Sequence, residues 1–73
     1  MNKYLVVFEK PSTGYSAFVP DLPGCVATGV TRHQAEKNMY EAIEMHLEGL
    51  REDHLPVPQS YSSAEYVTFL KAA

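Results

Sequence analysis

A short segment with two prolines and a glycine, Pro20-Asp21-Leu22-Pro23-Gly24, limits what this chain can fold into more than any other part of it. Each proline fixes its own φ angle, removes a backbone donor and favours extended geometry in the residue before it. Gly24 supplies a position where φ can be positive without steric cost. Neither a helix nor a regular strand can run through such a segment. It therefore predicts a rigid structural turn between two strands, built on Pro20, Asp21, Pro23 and Gly24.

Runs of β-branched and aromatic residues lie on both sides of this turn. Residues 3–10 and 15–19 predict two strands, and Pro11-Ser12-Thr13-Gly14 between them favours an antiparallel hairpin. Residues 25–30 predict a third strand. Both faces of the first strand are apolar, with Tyr4, Val6 and Phe8 on one face and Leu5 and Val7 on the other. This pattern is typical of a strand that is covered on both sides.

A helix signal follows at Thr31-Arg32-His33-Gln34, which has the form of a capping box. We expect the Thr31 hydroxyl to accept from the Gln34 backbone N–H, and the Gln34 side chain to reach back to Thr31. Apolar residues then recur at three- and four-residue steps, which predicts a helix over residues 32–52. No glycine stands at the helix exit, so Asp53 or His54 is expected in the left-handed position that often ends a helix.

The chain after the helix begins with Pro56-Val57-Pro58, which stops the helix, and a serine-rich connection follows. Residues 66–70 predict a fourth strand. The order is then β-β-β-α-β, an α+β fold with one antiparallel sheet and one helix packed on one face of it. All 73 residues are expected to form one domain. The other face of the sheet has no cover within the chain, which indicates an interface.

Charge and composition narrow the class of partner. Six Lys and Arg residues against nine Asp and Glu residues give a net charge of −3, and the basic residues form no stripe. Direct nucleic-acid binding is therefore not expected, and a basic protein partner suits the charge better. The single cysteine and the lack of a signal peptide favour the cytoplasm. No apolar run reaches the ~20 residues that span a bilayer.

The residues that could carry chemistry do not converge in a recognisable site. A metal-dependent nuclease of the RNase H type needs carboxylates gathered at one end of the sheet, but the first strand has only Glu9 at its end and Asp21 lies in the turn. Cys25 is interpreted as a small buried residue that begins the third strand. Metal-ligand spacing is absent among His33, His46 and His54. No catalytic, cofactor-binding or metal-binding residue is predicted, and the chain is not expected to be an enzyme.

Three residues are candidates for contact with a partner. Asp21 has two interpretations that the sequence leaves open, since its carboxylate could cap backbone N–H groups of the turn or contact a basic partner. Tyr40 lies beside the apolar stripe of the predicted helix, and Glu44 lies on the acidic side of that helix. Asp21, Tyr40 and Glu44 are therefore the partner-binding candidates.

Residues 15–25, together with Gly29-Val30-Thr31 and Leu55-Pro56-Val57-Pro58, resemble the signature of the HicB-like antitoxins. Ala35 and Ala42-Ile43 of the predicted helix fit the same pattern, so the resemblance covers nearly the whole chain in order. It implies a partial RNase H-like fold and a role in a type II toxin–antitoxin module. The partner it implies is a small basic HicA-type toxin that cleaves mRNA, and it also implies dimers or tetramers.

The chain departs from that family pattern in two places, and two other functions stay open. Full-length HicB antitoxins usually carry a C-terminal DNA-binding segment, and no separate DNA-binding domain is expected in these 73 residues. The family also often has glycine where His54 stands. The first alternative is an orphan module that self-associates and has a structural or regulatory role. The second is a divergent metal-dependent nuclease, which ranks last because its carboxylates are missing.

Overall fold

The computed structural model describes residues 3–71 as three strands followed by one helix. The strands are β1 (Val7–Glu9), β2 (Tyr15–Phe18) and β3 (Val26–Gly29), and the helix is α1 (Arg32–Glu52). All strand pairs are antiparallel, and the order β1-β2-β3 makes the sheet a simple meander. The α+β class, the three-strand order and the span of the helix are confirmed.

The register of the sheet assigns its side chains to two faces. Phe8, Ala17 and Ala27 lie opposite one another across the three strands and pack in the core beneath α1. Successive side chains of a strand point to opposite faces. Val7, Phe18 and Val26 therefore form a row on the face away from the helix. We call this row the open-face row.

The core is small and depends on the turn as much as on the sheet. Its buried side chains belong to Ala17, Val19, Leu22, Cys25 and Met39. Leu22 comes from the middle of the turn and is completely buried, so the turn contributes directly to the core. The helix packs over β3 and β2 rather than over β1. That position leaves the β1 side of the sheet uncovered along the helix.

Backbone hydrogen bonds close the turn at residues 19–25. Leu22 N–H donates to Val19 C=O at 3.1 Å, and Cys25 N–H donates to Leu22 C=O at 3.0 Å. Val19 N–H also donates to Cys25 C=O at 3.1 Å, so β2 and β3 are joined directly after the reversal. Gly24 has a φ of 83°, which a residue with a Cβ adopts only at a cost. The turn therefore holds its shape through its own backbone.

The N-terminus of α1 has half of the expected capping box. Thr31 is extended, and its Oγ1 accepts from the Gln34 N–H at 3.0 Å. The prediction that the Gln34 side chain returns to Thr31 is wrong, because that side chain donates to Asn38 Oδ1 at 3.1 Å. Residues four apart are neighbours on a helix surface, and the two amides bond there. Asn38 in turn donates to the Thr28 C=O at 2.8 Å, which fixes the helix against β3.

The C-terminus of α1 ends in a Schellman motif with histidine in the usual place of glycine. Leu55 N–H donates to Leu50 C=O at 2.9 Å, and His54 N–H donates to Arg51 C=O at 3.1 Å. His54 has a φ of 56°. The expectation that a residue other than glycine takes the left-handed position is confirmed, and that residue is His54.

The predicted fourth strand is absent from the part of the chain that the structure describes. Residues 55–71, which we call the extension, pair with no strand there. A strand needs an edge to bond with, and the side chains of residues 66–70 stand in solvent instead of packing on the sheet. Within residues 3–71, no helix is both long enough and apolar enough to cross a membrane.

Candidate partner-binding groove

A groove of about 630 Å³ runs between β1 and the side of α1. It exists because the helix lies mainly over β3 and β2, so the helix-facing side chains of β1 are only partly covered. Val6 and Phe8 of the first strand region and Met39 and Ile43 of the helix provide its apolar surface. Such a groove can take an apolar side chain of a partner at its centre.

The rim of the groove is polar and mainly acidic. It is formed by His33, Glu36, Lys37, Tyr40, Glu41 and Glu44. Three carboxylates stand against Lys37 and against Arg32, which pairs with Glu36, so the rim keeps a net charge of −1 and favours a cationic partner. Tyr40 is 68% exposed and presents a large amphipathic side chain beside the apolar surface. The groove thus brings Tyr40 and Glu44, two of the three partner-binding candidates, to one place.

Arg32 contacts both the floor and the rim of the groove. Its guanidinium carbon lies 3.4 Å from the centre of the Phe8 ring, and its Nη1 lies 2.9 Å from a carboxylate oxygen of Glu36. The pair with Glu36 is exposed and contributes little to stability. The stacking on Phe8 covers the part of the ring that the sheet and helix leave free. Arg32 therefore bounds the groove near the N-terminus of α1.

Asp21, the third candidate, binds the extension instead of lining the groove. Its carboxylate accepts from the backbone N–H groups of Tyr61 and Ser62, both at 2.9 Å, and from Ser62 Oγ at 2.8 Å. The backbone N–H of Ser62, then its hydroxyl, hold the pKa of this carboxyl below its ordinary value of 3.8. The interpretation of Asp21 as a cap of its own turn is wrong, because the turn closes through backbone bonds.

The Asp21 contacts are the part of this region that the sequence did not reveal. The sequence predicts only a serine-rich connection at residues 61 and 62, and no local pattern pairs a residue with one 40 or 41 positions away. A second bond fixes the same stretch, since the Tyr4 hydroxyl donates to the Pro58 C=O. The extension is therefore attached to the rest of the domain, through Tyr4 and Asp21, as far as Ser62.

Cys25 lies in the core. Its side chain is 3% exposed, and its Sγ lies 4.0 Å from Met39 Sδ. Burial raises the pKa of the Cys25 thiol, which lowers the fraction of reactive thiolate. Across residues 3–71, His, Cys, Asp and Glu side chains form no group of three that could hold a metal ion.

Residues 4–70 match the family model of the HicB-like antitoxin of bacterial toxin–antitoxin systems. The chain belongs to the HicB-like antitoxin family. The resemblance found in the turn, the third strand and the helix is therefore confirmed. A solved structure of a HicA3 and HicB3 toxin–antitoxin complex contains a chain with the same HicB-like fold, at a TM-score of 0.70 and 30% identity. The match covers 82% of this chain and 70% of that one.

Two further relatives come from a phage and from a cyanobacterium. A 14.9 kDa protein of the rep–hol intergenic region of Haemophilus phage HP1 is 41% identical over 88% of this chain. A UPF0150 protein of Synechocystis is 46% identical over 77% of this chain and 72% of its own length. This HicB-like chain spans only 48% of the phage protein's length.

Proposed function

We propose that this chain is an antitoxin that binds and neutralises a small HicA-type toxin, an mRNA-cleaving protein. The observation that carries the proposal is its similarity to a chain of the HicA3 and HicB3 complex over 82% of its length. Membership of the HicB-like antitoxin family supports the same role. Neutralisation would take place in the cytoplasm, where the mRNA is, and requires no catalysis by this chain.

The groove beside β1 is the surface proposed for the toxin. An acidic rim attracts a basic protein and orients it before contact, and an apolar centre then stabilises the complex. Tyr40 would supply an exposed aromatic contact, and Glu44 would pair with a basic side chain of the toxin. This division of roles predicts different effects for the two residues.

The first test is co-expression with the protein encoded by the adjacent reading frame. Expression of that protein alone should stop growth, and co-expression of this chain should restore growth and yield a purified complex. RNA cleavage by the toxin should stop when this chain is added. If no complex forms and growth is not restored, the antitoxin role is wrong for this pair.

The second test uses matched variants on one helix. Tyr40→Ala should weaken the complex by roughly 30-fold or more, the loss that follows truncation of a central aromatic contact. Met45→Ala is its control, because Met45 is 74% exposed and lies outside the groove. Glu44→Lys should slow association and weaken its dependence on salt, whereas Glu52→Lys, with the same charge change outside the groove, should not.

Self-association is the second function that a specific observation favours. The open-face row of Val7, Phe18 and Val26 is apolar, and Val26 is 64% exposed. A small domain gains burial when such a surface meets a second copy. A homo-oligomer that captures no toxin and has no toxin gene nearby would favour the orphan module.

A further inference from the structure

The Phe8 ring and the Glu36 carboxylate form a site for a cation at the end of the groove beside β1. Arg32 occupies this site: its guanidinium carbon lies 3.4 Å from the centre of the Phe8 ring, and its Nη1 lies 2.9 Å from Glu36 Oε2. A planar guanidinium suits both groups, because it stacks on an aromatic face and donates from its edge to a carboxylate. The protein therefore fills, with its own side chain, a site that fits an arginine of another molecule.

Arg32 is held weakly in this site. The side chains of Arg32 and Glu36 are 49% and 64% exposed, so solvent screens their ion pair and the pair adds little stability. Arg32 is also the first residue of α1, where the positive end of the helix dipole disfavours a cation. The long side chain loses conformational entropy for as long as it stays on the ring. A second guanidinium can therefore replace it at a small cost in free energy.

The space next to Arg32 allows its side chain to move away. A cleft of about 630 Å³ adjoins the groove on the other side of Phe8, and Arg32 is one of the residues that line it. Phe8 lines the groove and the cleft alike. The charged residues in the cleft besides Arg32 are Glu9, Glu65 and Lys10, two carboxylates against one ammonium group. A displaced Arg32 therefore still has carboxylates near it.

The charge of the groove favours an arginine from a partner as the replacement. When Arg32 leaves, the carboxylates of Glu36, Glu41 and Glu44 face only Lys37, so the acidic excess of the rim grows. An arginine that enters from the groove restores the lost charge and gains the same two contacts, on the Phe8 ring and on Glu36. The exchange conserves the local interactions, so the remaining contacts in the groove decide whether the partner binds.

We propose that Arg32 is an internal competitor for this site, and that an arginine of the protein partner displaces it from Phe8 and Glu36 when the partner occupies the groove. The identity of the partner rests on the antitoxin function proposed above, and the inference adds the chemistry of one contact. Competition lowers the apparent affinity, because the partner binds only the fraction of molecules in which the site is vacant. Arg32 thus selects against partners that have no arginine at this place.

Titration with N-acetylarginine amide, followed by the NMR signals of the Phe8 ring, tests the site without any toxin. Arg32→Ala should show saturable shifts, and the natural chain should need a probe concentration about two- to fivefold higher for the same shift, the range for an exposed cation–π contact. N-acetylcitrulline amide, which has a similar shape and no charge, should cause no such shifts.

Lys10→Ala is the matched control for this titration. It removes the same charge and another cation–π contact, in which Lys10 Nζ lies 4.9 Å from the centre of the Tyr15 ring, outside the groove. It should therefore titrate like the natural chain. Arg32→Ala without saturable shifts, or with shifts equal to those of Lys10→Ala, would overturn the proposal.

The complex with the toxin of the adjacent reading frame tests the displacement itself. In the free natural chain the Phe8 ring current should shift the Arg32 δ-methylene protons upfield, and this shift should disappear in the complex. Arg32→Ala should tighten the complex by about two- to fivefold, and Lys10→Ala should not. Arg32 signals and an affinity that both stay unchanged would overturn the inference and leave the antitoxin role intact. If no complex forms, the antitoxin role fails, and the probe titration still decides whether Arg32 competes for the site.

Discussion

The carboxylate of Asp21 accepts two hydrogen bonds from Ser62, one from its backbone N–H and one from its hydroxyl. The two residues are 41 positions apart, and the contact joins the turn to the extension. These bonds favour the ionised carboxyl and lower its pKa below 3.8. Because the pKa is lower in the folded state, the contact stabilises the fold fully at pH values above the ordinary pKa of the carboxyl. This stabilisation is lost as the pH falls through the pKa of the folded state.

Asp21→Ala should therefore release the extension from the turn at neutral pH. Hydrogen exchange at the amides of Tyr61 and Ser62 measures this, because both N–H groups donate to the Asp21 carboxylate. In the natural chain their protection factors should fall at pH values below 3.8, and in the variant they should already be low at neutral pH. Ser60→Ala should leave them unchanged. Equal protection in Asp21→Ala and the natural chain would contradict the contact.

Gly24→Val should destabilise the fold by about 1–2 kcal/mol, the cost of a left-handed conformation in a residue with a side chain. A Cβ at Gly24 would meet no heavy atom within 4 Å, so backbone strain at its φ of 83° accounts for the loss. Thermal unfolding should show a midpoint lower by about 4–8 °C per kcal/mol. An unchanged midpoint would show that the turn tolerates another geometry.

Gly29→Ala should destabilise the fold for a different reason, which is lack of space. A Cβ at Gly29 would lie 2.4 Å from the backbone nitrogen of Ala35, so α1 must move away from β3. Overpacking of this kind costs about 1–3 kcal/mol or more. Gly49→Ala is the control, because Gly49 lies in the exposed helix with open space around it. It should stabilise the protein by up to about 1 kcal/mol in urea unfolding.

His54→Gly should stabilise the protein by about 0.5–1 kcal/mol. Glycine removes the strain of the positive φ at the helix exit, and its greater freedom in the unfolded chain offsets part of that gain. Urea unfolding with an unchanged slope measures the difference. His33→Gly, in the first turn of α1, should have the opposite sign. A loss of stability in His54→Gly would mean that the histidine ring makes a contact that outweighs the strain.

Local signals account for what could be predicted of the fold. Thr31 marked the helix start, the Asp53-His54-Leu55-Pro56 segment marked its end, and Pro20 to Gly24 marked the reversal between β2 and β3. Each of these depends on residues within a few positions of one another. Local geometry decides such features whatever the rest of the chain does.

The remaining features depend on distant parts of the chain or on a second surface. The Asp21 carboxylate accepts hydrogen bonds from residues 61 and 62, and nothing near Asp21 in the sequence identifies these donors. The Gln34 side chain donates to Asn38 and not to Thr31, the partner that the capping-box pattern predicts. The β-rich pattern of residues 66–70 indicates a strand, but β propensity expresses fit to a neighbouring strand, and no strand within residues 3–71 pairs with that segment.

The meander order of the sheet also favours a high folding rate. β1 contacts β2, β2 contacts β3, and α1 contacts the two strands that precede it, so most of the native contacts join elements that are close in the chain. Proteins rich in local contacts cross the folding barrier quickly, because little loop-closure entropy is lost before contacts form. The strands and α1 should therefore assemble first, and the Asp21–Ser62 and Tyr4–Pro58 contacts, which join residues 41 and 54 positions apart, should form last.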